Sequence, residues 1–463
     1  MKKLIMAALA GVVGLGAYAR TFEVRAWRGE TVTAILPDSC ETALTPEGLE
    51  IKIGHLELVK YAPHPGSLER REIYDRVAWG SEGSHGPRVV EIKVPRSAKP
   101  GVYKSGMMNV TVIDRVLPEP KEWKYYLDLW QHPWAIAREA RVVPFSNEHF
   151  DAMRPVYKLL ASAGQKTITI PILDEPWDHQ CRDAYHSLVE DEDFKLFDIY
   201  VEFCRACGLG PDIACYSLCP WKLKVQPGTA QFEEYWGGFL QRFAAHLKEK
   251  GWFEHTYMAM DERSPAQVKA VSEFVEKYAP GMKISMAGNR RPSDFEGIKI
   301  DNYSQLLNYI DEAFLNEARE RREAGLKTTL YVCCSPNTPN TFVGSDAYEA
   351  FWLGAAPEVL GLDGLLRWAF CSWPENPQED ASFGNWRAGD TFLAYPRGEP
   401  SIRFLELRNG IIAAEKLRIL RDEGAISEAD EAEIAKDFNV DSALKGRYYH
   451  AAIKEKLGRI LNR

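Results

Sequence analysis

Thr256-Tyr-Met-Ala-Met-Asp-Glu-Arg-Ser-Pro265 runs from a short apolar segment, across two acids, to the start of an amphipathic one. Residues 256–260 read as a buried strand. Ser264 is a good helix N-cap, Pro265 suits the first helical position, and residues 266–278 carry a helical apolar period. Asp261 and Glu262 therefore stand where a strand ends and a helix is about to begin, which in an α/β barrel is the working face. Neighbouring carboxylates resist ionising together, which separates their pKa values and suits a division into acid and base. In a regular strand neighbours point to opposite faces. The pair can serve one pocket only if the strand stops at it.

The same alternation extends on both sides. Strand-like runs at 123–129, 166–173, 212–217, 256–260, 283–287, 298–303, 328–333 and 364–370 alternate with helical ones at 148–163, 194–207, 232–250, 265–278, 311–324 and 345–359. Eight strands with intervening helices over 122–400 predict a (β/α)8 TIM-like barrel. The alternative, a doubly wound open sheet, lacks a Gly-rich turn after its first strand.

Residues 20–118 differ. Short apolar runs at 22–27, 31–36, 56–61, 88–94 and 106–113 are separated by Gly, Pro and Asp turns, which predicts an N-terminal β-sandwich. Residues 114–121, with two prolines, read as the boundary. Residues 401–463 are charged and helical, with helices expected at 401–423, 427–437 and 442–461, packed as a C-terminal helical cap. Residues 1–19 read as a signal peptide: Lys2 and Lys3, an apolar 4–15, and the cleavage pattern Ala17-Tyr-Ala19. The mature chain is expected to be exported, periplasmic or extracellular, with no stable membrane anchor.

Removing Lys2 and Lys3 takes the formal net charge from −9 to −11, which argues against nucleic acid as a partner. The 13 Trp residues suit either a large core or a surface on which flat rings stack on sugars. Nine cysteines leave at least one unpaired within the chain. Cys204-x2-Cys207 and Cys215-x3-Cys219 resemble a four-thiolate zinc spacing. However, the first pair falls on an expected helix and Cys215 inside an expected strand, so buried thiols, with one disulfide allowed for, are the better reading. No metal and no organic cofactor are expected.

On the barrel reading, strand ends deliver Trp130, then Glu175 and His179 in Asp174-Glu-Pro-Trp-Asp-His-Gln180, then Tyr216 and Trp221, the acids Asp261 and Glu262, Asn289, Tyr331 and Trp368. Tyr216 and Trp368 could equally fill the barrel mouth, and His132 and His179 could be structural. Asp174-Glu175 is a second acid pair at a strand end. Glu175 with Glu262 would make an ordinary two-carboxylate glycosidase. A tandem pair suits a substrate that supplies its own nucleophile, the 2-acetamido oxygen.

His246-Leu-Lys-Glu-Lys-Gly-Trp252 followed by Ala259-Met-Asp-Glu-Arg263 resembles the centre of glycoside hydrolase family 123. Asp128-Leu-Trp-Gln-His-Pro133, Cys215-Tyr-Ser217, Cys219-Pro-Trp221, Ala287-Gly-Asn289, Leu366-Arg-Trp-Ala369, Gly389-Asp390 and Ser401-Ile-Arg403 are similar to that family in the same order. The resemblance implies an exo-acting, retaining β-N-acetylgalactosaminidase acting on glycans with a terminal 2-acetamido sugar. It assigns Asp261 to orienting the acetamido group and Glu262 to acid/base work. One departure is the short segment 221–228, where a longer aromatic and acidic insert would be expected, and it bears on the rim of the pocket and on sugar selectivity. A non-catalytic glycan-binding envelope protein is the alternative from another class.

Overall fold

The computed structural model describes residues 22–36, 46–80, 86–105, 108–174, 186–189, 193–216, 218–447 and 451–463. The expected signal peptide, Cys40, Glu175, His179 and Cys181 lie outside them.

Seven strands come first: β1 (Phe22–Arg28), β2 (Thr31–Leu36), β3 (Glu50–Tyr61), β4 (Arg71–Trp79), β5 (Arg88–Lys93), β6 (Gly101–Ser105) and β7 (Met108–Val116). They form a three-stranded sheet, β1-β7-β6, and a four-stranded one, β2-β5-β3-β4. Alternation along β5 explains their stacking. Val90 and Ile92 join Ala26, Leu36, Val110 and Val112 in a small core between the sheets. Val89 instead joins Leu56, Val59 and Val77 in the large core shared with the rest of the chain. The four-stranded sheet is thus apolar on both faces.

Eight parallel strands follow: β8 (Tyr126–Leu129), β9 (Thr167–Pro171), β10 (Asp212–Tyr216), β11 (Thr256–Asp261), β12 (Lys283–Gly288), β13 (Asn302–Leu306), β14 (Lys327–Tyr331) and β15 (Gly364–Arg367). Their order, β8-β15-β14-β13-β12-β11-β10-β9, brings β8 and β9 together as the two ends of a TIM-like near-barrel. Two buried glutamines close that seam. The Gln165 amide accepts the Leu129 N–H at 3.0 Å and donates to the Leu129 and Thr167 carbonyls at 3.2 and 2.7 Å. Gln131 accepts the Thr169 N–H at 2.9 Å and donates to the Thr167 carbonyl at 3.3 Å. A primary amide carries the same donor and acceptor as a peptide group, so side chains replace the missing ladder.

Around the strands run α1 (Pro133–Ala140), α2 (Asn147–Ala161), α3 (Lys195–Cys207), α4 (Ala230–Glu249), α5 (Pro265–Tyr278), α6 (Glu312–Glu323) and α7 (Ala347–Leu360). The chain ends in α8 (Ile402–Asp422), α9 (Glu428–Ala435), α10 (Val440–Leu444) and α11 (Ala451–Leu461). The sixth strand was expected at 298–303 and forms at Asn302–Leu306. Its Asn302, Ser304 and Gln305 are polar yet buried, with Ser304 bonded to Thr329 at 2.6 Å and Gln305 to the Gly288 carbonyl at 3.2 Å. An apolar pattern cannot reveal a strand that faces a polar interior. The short α1 was not anticipated, and the helix expected at 442–461 divides into α10 and α11.

The bottom of the barrel is plugged by charge. Asp212 receives hydrogen bonds from Lys327 at 2.7 Å and Tyr126 at 3.0 Å, and His255 Nδ1 lies 3.0 Å away. Burial works against the Asp212 carboxylate, but Lys327 and these donors hold its pKa below the ordinary value. Such a cluster at the N-terminal end of the strands serves stability, leaving the opposite end for chemistry.

Replacing Gln165 with Leu keeps the volume but strips the Leu129 N–H of its side-chain partner. A buried unmet polar group costs about 1–3 kcal/mol, so the denaturation midpoint should fall by an equivalent amount. An unchanged midpoint would show that the seam does not depend on the amide.

Candidate active site

Alternation along each strand stacks inward side chains in columns. On β8, Tyr126 reaches the Asp212 plug, Asp128 stands above it, and Trp130 caps the column. On β14 the sequence is Lys327, Thr329, Tyr331, and on β11 it is Tyr257, Ala259, Asp261. The small middle residues leave depth beneath an aromatic and acidic rim. A cavity of about 240 Å³ opens there, lined by Trp130, Trp221, Asp261, Glu262, Ala287, Tyr331, Cys333, Cys334, Leu366, Trp368 and Trp386.

The backbone explains how both acids reach it. Asp261 is the last residue of β11, and Glu262 adopts a left-handed conformation with φ 49°. The strand's alternation breaks there and the second acid turns to the same cavity. The Glu262 N–H still donates to the Ala287 carbonyl at 2.8 Å, so the sheet's edge register survives the turn. Arg263 Nε donates to the Asp261 carbonyl at 2.7 Å. Ser264 then caps α5 in a capping box with Gln267, and Pro265 occupies the first turn, as the sequence indicates.

Each carboxylate has its own partners. Glu262 Oε1 accepts the Tyr331 hydroxyl at 2.6 Å and Oε2 accepts the Asn289 amide at 3.1 Å. Burial, then the charge of Glu262, pushes the Tyr331 phenol well above its ordinary range, so it remains a neutral donor. Asp261 Oδ2 accepts the Trp221 indole N–H at 3.0 Å. The Arg263 guanidinium lies 3.9 Å over the Trp221 ring, which fixes that indole from its other face. Trp130 and Tyr216 pack with ring centroids 4.4 Å apart, making Tyr216 the support of the cavity wall. Trp368 donates to Asp390 at 3.0 Å, and its ring lies 5.3 Å from that of Trp386.

Of the sequence-derived candidates, Trp130, Trp221, Asp261, Glu262, Tyr331 and Trp368 line the cavity, and Asn289 and Tyr216 touch those that do. Asp174 bonds the Ser187 N–H at 2.8 Å and is not among the lining residues. His132 is buried and does not line the cavity; burial lowers its pKa to about 3, which makes it a neutral structural ring. Sequence reasoning missed Trp386, which lies in a loop with no strand period to mark it. It also treated Cys333 and Cys334 only as thiols to be counted. Their place two and three residues after Tyr331 was the available sign. Cys204, Cys207, Cys215 and Cys219 are buried. Among the described residues no group of three or more His, Cys, Asp or Glu side chains could hold a metal ion.

Beneath the cavity, burial pushes the Asp128 carboxyl up to about 7, against a hydrogen bond to Trp130. The unfolded chain loses this proton near the ordinary carboxylate value, so between about pH 4 and about pH 7 the folded state binds the extra proton and loses stability as pH rises. Asp128→Asn should flatten that fall, read as denaturation midpoint against pH. An unaltered slope would exclude Asp128 as its source.

Residues 130–420 match the model of the glycoside hydrolase 123 catalytic domain. No protein of curated description matches the sequence. Among solved structures, a family 123 glycoside hydrolase from Clostridium perfringens, studied for glycolipid glycan hydrolysis, is 24% identical, with a TM-score of 0.79 over 96% of this chain and 92% of that one. The two share a fold. The Pseudomonas stutzeri endoglucanase Cel5A is 12% identical over 62% of this chain and 92% of its own, with a TM-score of 0.38. With the catalytic-domain model spanning well over half of the sequence, from the end of β8 into α8, this chain is a glycosidase belonging to glycoside hydrolase family 123.

Proposed function

We propose that the chain is an exo-acting, retaining β-N-acetylgalactosaminidase that uses the substrate's own 2-acetamido group as nucleophile. The observation that carries this reading is the tandem pair: Asp261 and Glu262 are the only carboxylates among the described lining residues, and both open into one small cavity. A volume of about 240 Å³ suits one terminal sugar rather than a run of them.

In this mechanism the acetamido carbonyl oxygen attacks the anomeric carbon as the glycosidic C–O bond breaks. Glu262 gives its proton to the departing oxygen. Asp261 accepts the acetamido N–H and stabilises the positive charge of the cyclic intermediate. Water then attacks the anomeric carbon from the vacated face and gives a proton to Glu262. Two inversions leave the configuration retained. Tyr331 and Asn289 hold Glu262 from both oxygens, so its proton is transferred from a fixed position. Trp368 and Trp386, both partly exposed, offer indole surface to the sugar ring, and the buried Trp130 closes the wall beside them. No metal or organic cofactor enters any step.

The Clostridium perfringens relative was studied for glycolipid glycan hydrolysis, and we assign this chain substrates of glycan type as well, with terminal N-acetylgalactosamine on glycans or glycoconjugates as the sugar removed. The leader-like residues 1–19 support export to the periplasm or medium. The two-carboxylate alternative would draw on Glu175, outside the described residues.

Glu262→Gln should lower kcat on glycosides with poor leaving groups by about 10²–10⁴-fold, with a smaller loss on activated aryl glycosides. Asp261→Asn should damage both, and a thiazoline analogue of the cyclic intermediate should inhibit. Full activity in Asp261→Asn, or a trapped covalent glycosyl-enzyme, would falsify the mechanism. Aryl β-N-acetylgalactosaminide should be cleaved in preference to the β-N-acetylglucosaminide and the β-galactoside. Preference for the galactoside would overturn the substrate assignment.

Arg263 acts through its neighbours, by fixing Trp221 and the turn at Asp261. Arg263→Ala should cut kcat/KM by about ten- to hundred-fold through misplacement. Arg263→Lys should recover little, because an ammonium cannot reproduce the planar stack. A Lys variant with native kcat/KM would show that the planar stack on Trp221 does not position the site.

A further inference from the structure

The chain turns immediately after β14, where the Cys333 N–H donates to the Ser335 carbonyl at 3.0 Å. That turn sets two consecutive thiols against the wall of the cavity, with Sγ atoms 3.9 Å apart. Cys334 is exposed and Cys333 half-buried, whereas Cys204, Cys207, Cys215, Cys219 and Cys371 are buried. Among the described residues this is therefore the accessible pair.

The spacing is suited to a bridge. Two sulfurs 3.9 Å apart can both reach one atom ~2.3 Å from each, and closing by about half an ångström gives the narrower angle of a pyramidal three-coordinate centre. Direct disulfide formation fits less well, since it normally spans Cα atoms about 4.4–6.8 Å apart, and consecutive residues hold theirs at ~3.8 Å. No described group of three or more metal-ligating side chains exists to complete a four-ligand cage. The fitting occupant is a soft atom that needs two sulfurs and brings its own third substituent. The hydrogen bond with Cys333 lowers the pKa of Cys334, and the same bond, with burial, raises that of Cys333. Cys334 is thus the first nucleophile.

We propose that Cys333 and Cys334 form a dithiol site for trivalent organoarsenicals and related soft thiophiles, and that its occupation shuts the sugar out of the cavity. The reaction balances without an oxidant. An arsine oxide, R–As=O, exchanges its oxygen for two As–S bonds, both thiol protons leave with that oxygen as water, and arsenic stays trivalent. The proposal concerns the cavity wall and does not depend on which sugar is cleaved.

The test treats the folded protein with phenylarsine oxide. Intact mass should rise by one phenylarsine oxide less one water, and peptide mapping should find the adduct on the peptide holding both residues. Cys333→Ser and Cys334→Ser should each lose the stable adduct. Glycoside hydrolysis, compared with each variant's own untreated rate, should fall at least tenfold in the unsubstituted protein only. It should return with 2,3-dimercaptopropanol and not with a monothiol. No adduct on the native protein, or an adduct retained by the double Ser variant, would overturn the site. An adduct with undiminished turnover would overturn the exclusion of sugar. If the chain cleaves no acetamido sugar at all, the mass measurement still decides the dithiol.

Discussion

Adjacent side chains on a strand point apart, so a cavity served by Asp261 and Glu262 rests on one backbone choice. Glu262 takes a left-handed conformation, φ 49°, which costs a non-glycine residue about 1–2 kcal/mol. Several contacts offset that cost. The Glu262 N–H keeps its bond to Ala287, Arg263 grips the Asp261 carbonyl, and the Ser264–Gln267 box starts α5 without delay. Everything else at the rim takes its position from this turn. Tyr331 and Asn289 meet the two oxygens of Glu262, and Trp221 meets Asp261 while stacked under Arg263.

A second layer holds the wall from behind. Arg367 is fully buried and donates to the Val332 carbonyl at 3.1 Å and to the Asp390 carboxylate at 3.0 Å, while Asp390 also receives the Trp368 indole. Gly389 has φ 83°, and a Cβ there would lie 2.7 Å from the Val343 nitrogen and 2.8 Å from Arg403. Arg403, on α8, makes a two-pronged pair with Asp75 of β4 at 2.8 and 2.9 Å, with Tyr395 bonded to the same carboxylate at 2.6 Å. Arg367, Gly389, Asp390 and Arg403 of the short motifs therefore build the frame of the site, while Leu366 and Trp368 on either side of Arg367 line it.

Much of this was legible in the chain. The strand from Thr256, the Ser264 cap and the barrel count all follow from apolar period and turn chemistry, and the acids lie where that reading puts them. The reading fails where the interior is polar. Residues 298–300 look more strand-like than Asn302–Leu306, because alternation signals burial against grease, whereas β13 faces a hydrogen-bonded interior. The glutamine seam was invisible for the same reason, since Gln131 and Gln165 read as loop polarity until β8 and β9 are brought together. Trp386 joins the cavity through tertiary packing alone, and no local pattern announces it. The conformation of Glu262 was the open question in the sequence, because only a backbone dihedral decides whether two neighbouring acids cooperate.

The Asp75–Arg403 pair also bears on modularity. Family resemblances invite the barrel to be treated as a portable unit, to be trimmed, fused or transplanted without its N-terminal sheets. Here the sheet carrying Asp75 shares one apolar core with the barrel and α8, and its carboxylate neutralises a guanidinium sealed from water behind the cavity wall. A chain cut at the barrel's start would inherit an uncompensated cation in its interior, a state more costly than the loss of surface alone. Any front end exchanged into this chain would have to bring an acid to the same place, or the arginine would have to go with the sheet it replaces.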